Sequence, residues 1–353
     1  MKKIAVVGTV GIPACYGGFE SLVENLTLYK NGKYRYYVFC SKKNYKYKMS
    51  SHNGAKLIYL PLNANGVQSI FYDILSLIKC LFFKPDVVLI LGISGGIFLP
   101  FFRFLSRSKI ITNIDGLEWK RDKWNYWGKK FLKLSEYFSV KYSHVIVTDN
   151  QAIGDYVKEE YGTSSVTIAY GGDHAFRNVD SLPFCQAAEN YALGICRIEP
   201  ENNVGMILES FCRISHKIKF IGNWMSSTYG RELKEKYSKY INIELIDPIY
   251  DLDELHKLRS GCDIYIHGHS AGGTNPSLVE VMHFSVPVFA YDCVFNRYST
   301  EDKAHYFKNS SQLIELIRNT HQRDLKKNAA NMQIIALERY TWKVISSSYE
   351  RLY

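Results

Sequence analysis

His267 to Pro287 reads HGHSAGGTNPSLVEVMHFSVP, which sorts into a strand end, a glycine loop and a helix start in series. The preceding CDIYI (262–266) alternates and is rich in β-formers, so it predicts a strand that stops at Gly268. A loop of small residues, Ser270 to Thr274, follows. Thr274 or Asn275 suits the N-cap, Pro276 suits the first helical position, and Leu278, Val279, Met282 and Phe284 supply an apolar face, so a helix is expected here. Unpaired N–H groups at a helix start attract anions, and Gly272 and Gly273 let a diphosphate approach the backbone closely. Glu280 lies about one turn into the helix, where a carboxylate can accept two hydrogen bonds from a ribose diol. A plain αβ unit would use the same glycines only to turn the chain. The added carboxylate weighs against that simpler use.

Strand and helix patterns alternate along the rest of the chain. KIAVVG, YRYYVFC, KLIYLPL, DVVLILG, KIITNID and HVIVTD read as strands, with helical patterns from Gly18, Ser69, Leu99 and Lys130 between several of them. Glycines and polar residues break the pattern at YGGDHAFRNVDS (170–181). A second series follows, with YALGICR, KIKFIG, INIELID, CDIYIHG and VPVFAYD as its strands. At 353 residues the chain exceeds what one hydrophobic core usually serves. The expected fold is α/β with two Rossmann-like doubly wound domains, residues 1–172 and 173–353. Ligands of open α/β sheets bind beyond the carboxyl ends of the strands, so the expected site is a cleft that the two domains face.

Charge is unevenly shared between those halves. Residues 1–172 hold 23 Lys+Arg against 12 Asp+Glu, whereas residues 173–353 hold 21 against 22, so the whole net charge of +10 arises in the first half. No nucleic-acid recognition motif accompanies it, and no nucleic-acid partner is expected. An anionic membrane surface fits the lysines and nearby aromatic residues better than a merely solvated basic face. The stretch 69–83 contains Asp73 and Lys79 and is too short to span a bilayer, while 87–102 is broken by Gly92, Gly95, Gly96 and Pro100. The expectation is peripheral attachment. The eight cysteines show no CxxC pair or metal-like spacing, and MKKIAVVG reads as a strand and not as a signal peptide, so a cytoplasmic protein is expected.

The 267–280 segment resembles the donor-site signature of retaining GT-B glycosyltransferases, glycosyltransferase family 4, in which two glutamates eight residues apart flank a glycine loop. Glu280 matches the second glutamate, but Gly272 stands where the first is common. HGHSAGGTNPSLVE resembles more closely the capsular and exopolysaccharide rhamnosyltransferase branch. So do GTVGIPACYGGFESLVENL (8–26), IDGLEWKRDKW (114–124), ICRIEPENN (195–203), GNW (222–224) and DPIYDLDEL (247–255). The resemblance implies the GT-B fold, with a last helix from about Leu325 to Tyr353 crossing back to the N-terminal domain. It also implies transfer of a sugar with retention, from a nucleoside diphosphate sugar to a hydroxyl, with no cofactor and no metal. The branch points to dTDP-L-rhamnose as donor and a polyprenyl-diphosphate-linked saccharide as acceptor, on the inner face of a bacterial cell membrane. UDP- or GDP-hexose donors are the alternative. A nucleotide-sugar epimerase is a weaker rival, since Gly272 removes one acid/base carboxylate, and a catalytically silent membrane-binding module is another.

Candidate residues follow from both lines. GTVG followed by YGG is not a GxGxxG fingerprint, but Tyr16, Gly17 and Gly18 precede a helix and can offer backbone N–H groups to a phosphate or to the acceptor. Glu20 is either a first-turn residue favoured by the helix dipole or part of that loop's function. Asp115 ends a β-branched strand before Gly116. The resemblance puts this loop beside the acceptor and the anomeric carbon, where an aspartate could orient or deprotonate the acceptor hydroxyl. Its neighbours Glu118, Trp119, Lys120 and Arg121 suit a sugar stacked on Trp119 and a phosphate held by Lys120 or Arg121, or else a surface helix. By resemblance Arg197 neutralises the departing diphosphate, with Asn202 and Asn203 where a lysine is usual. A salt bridge from Arg197 to Glu199 or Glu201 is the competing role. Asn223 is a candidate for nucleotide contact, while Trp224 beside it suits packing. Asp173 and His174 mark the expected hinge, and His269 is either scaffold or site. Arg197, Gly272 to Asn275 and Glu280 form the donor-side core of this set.

Overall fold

A computed structural model describes residues 1–14, 17–114, 116, 119, 124–176 and 190–353. The chain divides into two compact units, Met1–Tyr170 with Trp342–Tyr353, and Gly171–Thr341.

The first unit runs β1 (Lys2–Val7), α1 (Gly18–Leu28), β2 (Tyr34–Ser41), β3 (Ser51–His52), β4 (Ala55–Leu60), α2 (Gln68–Phe83), β5 (Val87–Leu91), α3 (Leu99–Leu105), β6 (Lys109–Ile114), α4 (Tyr126–Tyr142), β7 (Val145–Thr148), α5 (Gln151–Tyr161) and β8 (Val166–Thr167). Its sheet order is β3-β4-β2-β1-β5-β6-β7-β8, parallel throughout except for the β3–β4 edge pair. Strands such as VVLIL of β5 are buried on both faces and so read as continuous apolar runs.

The second unit runs β9 (Tyr191–Ile195), α6 (Val204–Phe211), β10 (Lys217–Ile221), α7 (Thr228–Tyr237), β11 (Ile243–Ile246), α8 (Leu252–Gly261), β12 (Ile264–His267), α9 (Pro276–Met282), β13 (Val288–Tyr291), α10 (Val294–Ser299), β14 (His305–Phe307), α11 (Ser310–Asn319) and α12 (Gln322–Arg339). Its six parallel strands stand in the order β11-β10-β9-β12-β13-β14. Counted from β9, that is the doubly wound order 3-2-1-4-5-6, and its direction reverses between β9 and β12. In the first unit the reversal falls between β1 and β5.

The single helical segment expected from about Leu325 to Tyr353 is two helices, α12 and α13 (Trp342–Leu352), separated at Tyr340–Thr341. Within the first unit α13 is held by Asn113 Nδ2 donating to Tyr349 Oη (2.7 Å), and Lys2 Nζ donates to the Tyr353 carbonyl just beyond it (3.0 Å). Helix α9 is shorter than its apolar spacing suggests. It ends at Met282, so Phe284 lies beyond the helix, half-buried against the rings of Phe176 and His256, and Ser285 in the left-handed region then turns the chain.

Candidate functional site

In an open α/β sheet the strand ends at the reversal point leave room for a ligand. In the second unit the loops there are 196–203, after β9, and 268–275, after β12. Side chains and backbone tie them into one body. Ser270 donates both its N–H (2.9 Å) and its hydroxyl (2.7 Å) to the Glu201 carbonyl, and Asn203 Nδ2 donates to the Gly268 carbonyl (2.8 Å). His269 Nδ1 meets Asn202 Oδ1 at 2.7 Å, while Asn202 Nδ2 donates to the Arg197 carbonyl (2.7 Å). The loop after β10 joins through Asn223, whose Oδ1 accepts from Ile198 N–H (2.7 Å).

Arg197, Asn202, Asn223, His269, Gly272, Gly273, Thr274 and Asn275 thus stand on three neighbouring strand ends. They do different jobs. Asn202 and Asn223 spend hydrogen bonds on bracing the loops, and the His269 ring is part of the same brace. Trp224 is buried and donates Nε1 to the Ile246 carbonyl (2.8 Å), which is packing. Arg197 stays half-exposed at the loop surface, where Nη1 lies 3.5 Å from Glu199 Oε1. Pairs of this length and exposure are worth little, so the guanidinium can exchange that contact for a phosphate.

Asn275, not Thr274, is the N-cap of α9. Its Oδ1 accepts from Ser277 N–H (3.0 Å) and from the Ser277 hydroxyl (2.8 Å). Pro276 takes the first helical position as expected. With seven residues α9 has about two turns. Its dipole is correspondingly smaller than a long helix would give, so the helix start alone offers an anion less than a long helix would. Gly272 has φ 113°, and a Cβ there would lie 3.1 Å from His269 Nε2. The backbone at this position therefore disfavours any L side chain.

Glu280 is clamped from two sides. Arg259 of α8, itself buried, donates Nη2 to Oε2, and His174 Nε2 lies 3.4 Å from Oε1. Burial opposes ionisation, but Arg259 and then His174 outweigh it and hold the Glu280 carboxyl below the usual carboxylate range. An ionised carboxylate has about four acceptor positions, so this pairing leaves capacity for a diol. Sequence reading missed Arg259, and it cast His174 only as a hinge marker. His267, at the end of β12, was also passed over. It is buried with Nε2 unpaired, and burial, then His269, lower its pKa to about 3.

In the first unit Gly17 (φ 131°) precedes Gly18 at the start of α1, and a Cβ on Gly17 would collide with Glu20 Oε2. Glu20 is a brace. Its Oε1 accepts from Val10 N–H (2.8 Å) and Thr9 Oγ1 (3.0 Å), fixing the loop after β1. Trp119, the candidate for stacking a sugar, has Lys133 Nζ 4.7 Å from its ring centroid. Tyr16, Asp115, Glu118, Lys120 and Arg121 lie outside the described residues. Among the described residues no three His, Cys, Asp or Glu side chains converge as metal ligands.

Residues 1–173 match a family model described as "Domain of unknown function (DUF1972)". No curated protein matches the sequence. Among solved structures, the sucrose-phosphate synthase of Thermosynechococcus elongatus superposes with a TM-score of 0.82 at 13% identity, covering 100% of this chain and 98% of that one. HepE of Anabaena, in a complex with UDP-glucose, gives 0.74 at 13% identity over 100% and 99%. A glycosyltransferase from Rickettsia africae gives 0.73 at 12% identity over 99% and 97%. At such identities the common property is the fold, and this chain has the two Rossmann-like domains of the GT-B fold.

Proposed function

We propose that the protein is a retaining hexosyltransferase that moves a sugar, L-rhamnose from dTDP-L-rhamnose, onto a polyprenyl-diphosphate-linked saccharide at the inner face of the bacterial cell membrane, in capsule or exopolysaccharide synthesis. The observation that carries the transfer is the joining of loops 196–203 and 268–275 at the β9/β12 reversal point, with Arg197 free to turn to an anion. The rhamnosyl and lipid-linked parts rest on the branch motifs at 8–26, 114–124 and 267–280.

In this reading the acceptor oxygen forms a bond to the anomeric carbon on the face from which the phosphate oxygen leaves. The carbon–phosphate-oxygen bond breaks, and the acceptor proton passes to the departing diphosphate. No metal enters the step. Charge gathers on the diphosphate, so groups that grip it more tightly as it leaves lower the barrier. Arg197 and the amides of 272–274 take that role, Glu280 holds the ribose, and Asp115 orients the acceptor hydroxyl.

The test is incubation with a panel of nucleotide sugars and a short-chain glucose diphosphate lipid, following released nucleotide and product mass. Addition of one deoxyhexose from dTDP-L-rhamnose alone is expected. Transfer from UDP-glucose, the ligand of the HepE complex, would keep the reaction class and overturn the sugar. Donor turnover without acceptor would favour an epimerase.

A further inference from the structure

Helices α2, α3 and α4 of the first unit share a surface of unusual composition. α2 packs on α3 and α3 on α4, whereas α1 packs on α13. Apart from Gln68, every exposed position on these three helices is apolar, aromatic or cationic. The aromatic residues stand far out, with Phe104 of α3 at 89% and Trp127 of α4 at 75% exposure, and Phe71 and Phe82 of α2 and Phe101 of α3 are exposed with them. Lys79, Arg103, Lys130 and Lys141 supply exposed positive charge between them.

The carboxylates of these helices point away from solvent. Asp73 is 2% exposed and packs against Gly95, and Glu136 is fully buried, accepting from Tyr156 Oη (2.6 Å) and Lys133 Nζ (3.4 Å). Helix α5 of the same unit shows the ordinary pattern, exposing Asp155, Glu159 and Glu160 beside Lys158. Along α4, Trp127, Lys130, Leu134, Tyr137 and Lys141 recur at helical spacing and form one exposed ridge. On it Lys130 Nζ lies 4.5 Å from the Tyr126 ring centroid, and Lys141 Nζ donates to Tyr137 Oη at 3.1 Å. Side chains of this kind lay their stems along apolar surface and send the charge upward.

We infer that the exposed face of α2, α3 and α4 is a docking surface for an anionic lipid bilayer, with Phe104 and Trp127 entering the headgroup boundary and the lysines pairing with lipid phosphates. An apolar ridge rimmed by cations, on helices that themselves expose no carboxylate, matches such an interface in both of its components. Among the described residues no helix is long and apolar enough to cross a membrane, so the contact lies along the surface. The inference stands on this face and is independent of the proposed transfer.

Co-sedimentation of the full chain with vesicles tests it without any sugar nucleotide, so its outcome is separate from that of the transfer assay. Binding to equimolar phosphatidylglycerol/phosphatidylcholine vesicles is expected, with weak binding to phosphatidylcholine alone and loss in high salt. Lys130→Glu with Lys141→Glu should weaken binding by at least about tenfold. Phe104→Ser with Trp127→Ser should weaken it even at low salt, and Lys158→Glu on α5 should leave it unchanged. Thermal melts check that each variant is folded. Equal binding to neutral and anionic vesicles, or full binding by both double variants, would overturn the inference. So would a dimer seen by light scattering without vesicles and abolished by Phe104→Ser with Trp127→Ser, which would assign the face to a second copy of the chain.

Discussion

The guanidinium of Arg259, 3% exposed on α8, meets the Glu280 carboxylate across 21 residues of sequence. The two are unequally placed, since Glu280 keeps some contact with solvent and has His174 on its other oxygen. Removing the carboxylate therefore strands a buried cation, whereas removing the cation leaves an anion that water and His174 can reach. Glu280→Ala should cost about 3–5 kcal/mol of stability, and Arg259→Met less. A double variant, Arg259→Met with Glu280→Leu, should recover part of the loss. Urea denaturation of the three proteins checks this ordering, and equal losses in both single variants would remove the argument. One practical result is that an inactive Glu280→Ala protein says nothing about ribose binding until its fold is measured. Glu280→Gln, which keeps shape and hydrogen bonding, is the better probe.

His267 ties stability to pH. Its ring stays neutral in the folded protein down to about pH 3 because burial and His269 oppose the proton, while in the unfolded chain it titrates near ~6.5. The folded pKa is depressed. Its contribution is therefore fully present above the unfolded value and is lost as pH falls from there toward the folded value. The slope from this one group is about 1.4 kcal/mol per pH unit. His267→Asn should flatten the stability profile between about pH 6 and 5, above the range where carboxylates titrate. Denaturant midpoints at several pH values for the two proteins measure the difference. Parallel profiles would mean that His267 is protonated or hydrated in the native state.

Much of the fold was legible because buried parallel strands are continuous apolar runs, as in VVLIL of β5, while helix caps carry chemical signatures, as Asn275 and Pro276 do before α9. The end of α9 was not, since Phe284 continues the apolar spacing past the helix's last residue, Met282. Strand β14 has three residues at a sheet edge, too few to show alternation. The loops of the site were legible through their glycines, but their bracing was not. Nothing local links Asn202 to His269, or Arg259 to Glu280, because those pairs arise from sheet order and helix packing.

Arg197 separates a role in chemistry from a role in stability. Its contact with Glu199 is long and largely solvated, so Arg197→Ala should change stability by less than about 0.5 kcal/mol. If the guanidinium grips the diphosphate most strongly as it departs, kcat should fall by about a hundredfold to a thousandfold with a smaller change in KM. Lysine at this position keeps the charge and loses the bidentate geometry, so Arg197→Lys should recover only part of the rate. Steady-state kinetics beside a thermal melt decide between the roles. A folded Arg197→Ala protein with unchanged kcat would leave the loop amides alone with the leaving group.

Gly272→Glu asks whether the loop before α9 can carry a side chain at this turn. At φ 113° an L residue is strained, and its Cβ starts 3.1 Å from His269 Nε2, in a ring that Asn202 already fixes at Nδ1. Backbone strain of this kind costs about 1–3 kcal/mol, and relieving it means moving the 268–275 loop away from 196–203. The substitution should therefore lower stability and weaken nucleotide binding together, and no gain toward another donor sugar is expected. Gly272→Ala is the informative control. It carries the same strain without the charge, so if strain is the cause, alanine and glutamate should lose similar stability in denaturation and similar affinity for dTDP in calorimetry. A well-folded Gly272→Glu protein that binds dTDP normally would show that the loop can adopt the other backbone conformation, and that glycine was chosen here for the sugar and not for the turn.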